Sequence, residues 1–143
     1  MFHKIEHVGI AIKNAQLAEP IFNALFNQTP YKKETVESEM VQTIFYKTGS
    51  NKIELLQALS EDSAIAKFIE KRGEGIHHIA FAVDDIVAEL SRLKKEGFQL
   101  INETPKRGAD NKLIAFVHPK GTHGVLIELC QEIGDELTLM TGE

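Results

Sequence analysis

Ile76-His77-His78-Ile79-Ala80-Phe81-Ala82-Val83-Asp84-Asp85 reads as a second copy of Ile5-Glu6-His7-Val8-Gly9-Ile10-Ala11-Ile12-Lys13-Asn14, 71 residues earlier. Each stretch is an apolar strand that begins at a histidine and runs into a helix-capping residue, Asn14 or Asp84/Asp85. Phe45 and Phe116 stand at the same offset of 71. Lys52-Ile53-Glu54-Leu55-Leu56-Gln57 then matches Val125-Leu126-Ile127-Glu128-Leu129-Cys130-Gln131 at an offset of 74, so the second copy carries three extra residues. The turn takes them: Thr48-Gly49-Ser50-Asn51 in one copy, Pro119-Lys120-Gly121-Thr122-His123-Gly124 in the other. The offset is about half of 143 residues, which marks the chain as a duplication. A half of that size buries little core alone, so the two halves are expected to make one domain over residues 1–143.

Outward from the repeat, each half reads as βαβββ. In the first half, about 3–58, a strand over 3–12 precedes the helical stripe Leu17, Ala18, Ile21, Phe22, Leu25 and Phe26. Pro20 interrupts that stripe, so the helix is expected to begin near Glu19, with the proline in its first turn. Strands follow at 30–36, 40–48 and 51–58, the last two joined at Gly49-Ser50. A linker helix over about 61–72 is capped by Ser60-Glu61-Asp62-Ser63 and ended by Arg72-Gly73-Glu74-Gly75. The second half, about 76–131, predicts a strand at 76–83, a helix at 85–96 with Ile86, Leu90 and Leu93 inward, and Gly97 as its stop. Strands near 98–103, 112–118 and 124–131 complete it, and a frayed tail is expected from Asp135. The fold class is α+β, two βαβββ modules in curved mixed sheets around a central site.

Composition narrows the function. A net charge of −5 without a basic run gives no electrostatic footprint for nucleic acid or an anionic membrane. A single cysteine, Cys130, excludes a disulfide framework and any cysteine-built zinc site, and its apolar strand reads it as a small core residue. No apolar run approaches the roughly 20 residues of a membrane span. The charged start Met1-Phe2-His3-Lys4 is unlike a secretory leader, so a cytoplasmic protein is expected. Gly-rich phosphate loops, nucleophile elbows and HExxH patterns are missing from the sequence.

The repeat sets one histidine at the start of the first strand and one glutamate in the last strand of each half: His7, Glu54, His78 and Glu128. Equivalent residues of a pseudo-twofold pair converge near its axis. Two imidazoles and two carboxylates meeting there would bind a divalent cation with positions open for substrate. Co, Mn, Ni, Zn and Mg all suit such a set. Each glutamate is a lone carboxylate among apolar neighbours, costly to bury unless paired or metal-bound, although strand alternation alone also allows both to point outward. His77 alternates with His78, and Glu6 with His7, so both read as members of a solvated or interface face. His3, His118 and His123 read as surface histidines; Lys106, Arg107 and Lys120 are solvated loop cations or contacts for the phosphates of a large ligand.

These residues resemble the vicinal oxygen chelate superfamily, which includes glyoxalase I and the methylmalonyl-CoA epimerases. The epimerase family is the nearer likeness, from about residue 4 to 131. It is carried by Ile5-Glu6-His7-Val8-Gly9-Ile10-Ala11, Lys52-Ile53-Glu54-Leu55-Leu56, Asp62-Ser63-Ala64-Ile65-Ala66-Lys67-Phe68, Gly73-Glu74-Gly75-Ile76-His77-His78 and His118-Pro119-Lys120 with Gly124-Val125-Leu126-Ile127-Glu128-Leu129. The resemblance implies a metal-dependent 1,1-proton transfer that interconverts the (R)- and (S)-epimers of methylmalonyl-CoA through an enolate. His7, Glu54, His78 and Glu128 would be the metal ligands and Glu128 one acid/base. Some relatives carry a second acid/base glutamate two residues after a Gly-Val pair; here the pair is Met40-Val41 and the position is Thr43, a poor base. Water, Glu54, Glu37 or Glu39 would then serve the other transfer. The implied partners are a small acyl-CoA and a second copy in a homodimer, with Phe22, Leu25 and Phe26 as interface candidates and core burial as their simpler role. Alternative readings are glyoxalase I, distinguished by a glutathione rather than a CoA carrier, and a non-catalytic small-ligand-binding member.

Overall fold

Asn14, Ser63 and Asp85 open the three helices. Each has an extended backbone and a side-chain oxygen that accepts from the first-turn N–H groups, Gln16 and Leu17 for Asn14, Ala66 for Ser63 and Ala88 for Asp85. In this computed structural model, which describes residues 1–134, the helices are α1 (Ala15–Phe26), α2 (Ala64–Arg72) and α3 (Ile86–Lys95). The strands are β1 (Phe2–Ile12), β2 (Lys32–Val36), β3 (Val41–Thr48), β4 (Asn51–Ala58), β5 (Gly75–Val83), β6 (Lys106–Arg107), β7 (Lys112–Val117) and β8 (Ile127–Glu132). The architecture is α+β, as the alternation of strand and helix signals predicts. The tail expected from Asp135 lies outside the described residues.

The chain forms two compact units. The first is Ile5–Ile79; the second combines Met1–Lys4 with the chain from Ala80 onward. Both β1 and β5 therefore contribute residues to each unit. In the first unit the sheet runs β2-β3-β4-β1, antiparallel except for the parallel β1–β4 pair, which makes it mixed. Ile44, Tyr46 and Leu55 on one face, with Ile12 of β1, meet Ala18, Phe22 and Phe26 of α1. In the second unit β6, β7 and β8 pair antiparallel, and Ala115, Val117 and Leu129 pack on Val83 and on Ile86, Leu90 and Leu93 of α3. Cys130 is buried with Ala80 and Ile114, the core role that its strand implies.

Two elements depart from expectation. Helix α1 begins at Ala15 rather than near Glu19 and carries Pro20 inside it, on the exposed side. The lost N–H bond to Gln16 is tolerated because Asn14 caps the end and the opposite side is anchored by Ala18, Phe22 and Phe26. Only half of the apolar stripe is inward; Leu17, Ile21 and Leu25 form an exposed ridge. The expected strand at 98–103 is replaced by the two-residue β6 further on. The side chain of Asn102 accepts the Phe116 N–H at 2.9 Å and the Ile101 N–H meets the Phe116 carbonyl, which closes the ladder early. Phe98 and Leu100 are committed to the core of α3. Gly97 does end α3: with φ +95°, it lets its N–H reach Lys94 O while the Phe98 N–H reaches Leu93 O, a Schellman stop.

Candidate active site

Alternation on β4 settles where Glu54 points. Ile53 and Leu55 face α1, so Glu54 lies on the opposite face, directly across from Phe45 on β3 and in register with Gly9 on β1. His7 is two residues from Gly9 on that same strand and pairs with Lys52. Glu54 is only 4 % exposed and His7 5 %. Neither residue is on the solvated surface that alternation would also have permitted.

Within the first unit these side chains converge. The His7 Nδ1 lies 3.1 Å from Glu54 Oε2, and its Nε2 lies 3.0 Å from the Nε2 of His78 on β5, the two rings being edge to face. His78 is buried, and its Nδ1 is 2.9 Å from the Nδ1 of His77. His77 in turn stands edge-on to Phe68 of α2. The glycine at position 9 is required by this packing. A Cβ there would sit 2.2 Å from Cε1 of the His78 ring, a separation that no side chain accepts. Three of the four residues singled out by the repeat thus meet in one buried cluster.

Glu128 is the corresponding residue of the second unit. It is buried on β8, between Ile127 and Leu129, which face α3, and directly across from Phe116.

Sequence reasoning missed Glu6. It is not on a solvated face but 5 % exposed, and its Oε1 accepts from His7 Nδ1 at 2.8 Å while its Oε2 meets Lys52 Nζ at 3.0 Å. Burial works to raise its carboxyl pKa, but hydrogen bonds and charge from His7 and Lys52 outweigh it and hold the group at about 2. The available signal was the repeat itself: position 77, its counterpart, is also polar and also precedes a buried histidine. The other named residues are elsewhere. His3 pairs with Asp84 at 2.7 Å, His118 accepts the Lys120 N–H as cap of the Pro119–Thr122 turn, and His123 closes that turn with a left-handed backbone. Thr43 is buried, across from Glu34 and Leu56; Glu37 is exposed and Glu39 half-buried in a single 3₁₀ turn. Lys106, Arg107 and Lys120 are exposed.

The donor set fits a divalent cation. An ionised carboxylate can only accept, so His7 Nδ1 carries a hydrogen toward Glu6; in the neutral form of the ring Nε2 then holds the lone pair. Two nitrogens each about 2.0–2.1 Å from one cation and at right angles to it lie about 3 Å apart. The observed Nε2 pair has that separation, while the Glu54 carboxylate lies at the other ring nitrogen of His7, Nδ1.

Residues 6–116 match the family model of the Glyoxalase/Bleomycin resistance protein/Dioxygenase superfamily. The chain is 38% identical to the uncharacterized protein YqjC of Bacillus subtilis, over 94% of this chain and 96% of that one. It is 37% identical to the ethylmalonyl-CoA/methylmalonyl-CoA epimerase of Cereibacter sphaeroides, over 92% and 99%. The solved structure of the Streptomyces coelicolor methylmalonyl-CoA epimerase in complex with 2-nitronate-propionyl-CoA superposes with a TM-score of 0.88 at 32% identity, covering 92% of this chain and 96% of that one. The chain belongs to the Glyoxalase/Bleomycin resistance protein/Dioxygenase superfamily.

Proposed function

We propose that this protein is a metal-dependent methylmalonyl-CoA epimerase, interconverting the C2 epimers by a 1,1-proton transfer. The observation that carries the reading is the buried His7–His78 pair with Glu54 against His7, in a chain similar along nearly its whole length to epimerases of that name. His7, Glu54 and His78 would hold the cation, with Glu128 as the fourth ligand. Support for Glu128 comes from register: it opposes Phe116 as Glu54 opposes Phe45. When bound, a divalent cation supplies Lewis-acid stabilisation of negative charge at the thioester oxygen. Glu128 moves the C2 proton on one face of the substrate. Thr43 takes no part as a base, because its hydroxyl is buried and remains protonated near neutrality. The transfer on the opposite face falls to another carboxylate or to water.

A cytoplasmic homodimer acting on a small acyl-CoA completes the reading; the exposed ridge Leu17, Ile21 and Leu25 supports association. The test is incubation of metal-loaded protein with methylmalonyl-CoA in deuterated water, followed by mass spectrometry. Deuterium is expected at C2. Absence of incorporation overturns the proposal, and turnover of a glutathione hemithioacetal instead would assign the chain to the glyoxalase I reaction.

A further inference from the structure

We propose that Glu6, anchored by Lys52, is the positioning residue of the cation site: it takes the Nδ1–H of His7 and so aims the His7 Nε2 lone pair inward. The inference rests on the metal reading above, since a cation is the reason for aiming that nitrogen.

Two carboxylates approach one N–H. Glu6 Oε1 is 2.8 Å from His7 Nδ1 and Glu54 Oε2 is 3.1 Å from it. A single hydrogen there satisfies one good bond. The shorter contact belongs to Glu6, so Glu6 is the better acceptor for that hydrogen. Glu6 is itself fixed. Lys52 is the cross-strand partner of His7, and its Nζ lies 3.0 Å from Glu6 Oε2 with a side chain only 17% exposed. A buried carboxylate without such a partner would be costly. The arrangement runs Lys52, Glu6, His7, His78, every link 3.0 Å or shorter.

The repeat supplies an independent observation. Residue 77 is the counterpart of residue 6, and His77 Nδ1 lies 2.9 Å from His78 Nδ1. In both copies the residue before the candidate ligand reaches back to the outer nitrogen of its ring. The chemistry differs, a carboxylate in one copy and an imidazole in the other, but the atom held is the same. Outer partners of this kind fix ring orientation and tautomer, and their loss typically weakens metal binding by about 10–100-fold.

The experiment has two readouts, neither of them turnover. Nitrogen-15 NMR of metal-free protein reads the His7 tautomer, and titration with Co²⁺ reads affinity. Wild type should show hydrogen on Nδ1. The double substitution Glu6→Met with Lys52→Met removes both charges without stranding one. It should give a mixture of tautomers and bind Co²⁺ about 10–100-fold more weakly. Glu6→Gln keeps an acceptor oxygen and the shape of the side chain, and so serves even if the double variant does not fold. It should retain the Nδ1–H tautomer and lose affinity to a smaller degree. Hydrogen on Nε2 of His7 in the wild type overturns the inference, as does Co²⁺ affinity within twofold of wild type in either variant. A wild-type protein that takes up no Co²⁺ overturns the metal reading instead, and the tautomer, measured without metal, tells the two failures apart.

Discussion

The hairpins β3–β4 and β7–β8 are the same object with different ends. Val41 pairs with Ala58, Phe45 with Glu54 and Tyr46 with Ile53; 71 and 74 residues on, Lys112 pairs with Glu132, Phe116 with Glu128 and Val117 with Ile127. Beyond these pairs the first hairpin closes tightly at Gly49, whereas the second detours through the Pro119–Thr122 turn. All three extra residues are absorbed there, and the register of the buried glutamate is untouched. The correspondence extends to a side-chain bond. Gln57 at the end of β4 accepts the first N–H of α1 at 2.6 Å, and Gln131 at the end of β8 accepts the first N–H of α3 at 2.8 Å. Insertions are cheap where the ladder has already ended and costly within it, because a one-residue slip would turn each glutamate to the helix side.

The sharpest way to break the correspondence is chemical. Glu128→Gln should cut C2 deuterium exchange by about 10²–10⁴-fold, the usual worth of a general acid–base group. Glu54→Gln should act mainly by weakening metal binding, with exchange largely restored at saturating Co²⁺. Equal losses that excess metal does not relieve would erase the distinction between the two glutamates. Next come the cores. Leu55 and Leu129 are equivalent and fully buried, and replacing either by Ala should cost about 2–5 kcal/mol in urea unfolding. A cost at one position under half that at the other would show that the two units pack unequally. Gln57→Ala and Gln131→Ala should each lose about 0.5–1.5 kcal/mol by the same measurement.

The smallest effect expected is one of pH, and it has no counterpart in the second copy, where position 77 is a histidine. The Glu6 carboxyl is held at about 2, below its value of 4.5 in an unconstrained chain. Its contribution to stability is therefore complete above about pH 4.5 and is lost as the pH falls towards 2. Metal-free wild type should lose more stability between pH 5 and pH 3 than Glu6→Gln does, as read from urea midpoints. Parallel curves would remove Glu6 as a source of acid sensitivity.

Local signals carried most of the fold. The helix caps at Asn14, Ser63 and Asp85, the Gly97 stop and both hairpins rest on residues adjacent in sequence, and each is where composition and alternation point. The departures have non-local causes. Pro20 argues for a late helix start only until Ala18, Phe22 and Phe26 are seen anchoring the turns on both sides of it. The strand expected at 98–103 meets an Asn102 side chain that takes the N–H the ladder would need. Of the site, His7, Glu54 and His78 were legible through recurrence. Glu6 was not, because strict alternation turns residue 6 away from residue 7, whereas both are buried here and hydrogen-bonded to one another. A lysine on a neighbouring strand explains that burial, and it is 46 positions away in the chain.

Because Met1–Lys4 belongs with the unit that begins again at Ala80, that unit is drawn from two stretches far apart in the sequence. The ring of Phe2 stacks on Phe81, 5.1 Å between centroids, a neighbour that comes 79 positions later in the sequence (81 − 2). His7, Glu54 and His78 all precede Phe81 in the chain, and Glu128 follows it. Synthesis toward the C-terminus therefore delivers three prospective metal donors before Phe2 gains its partner ring.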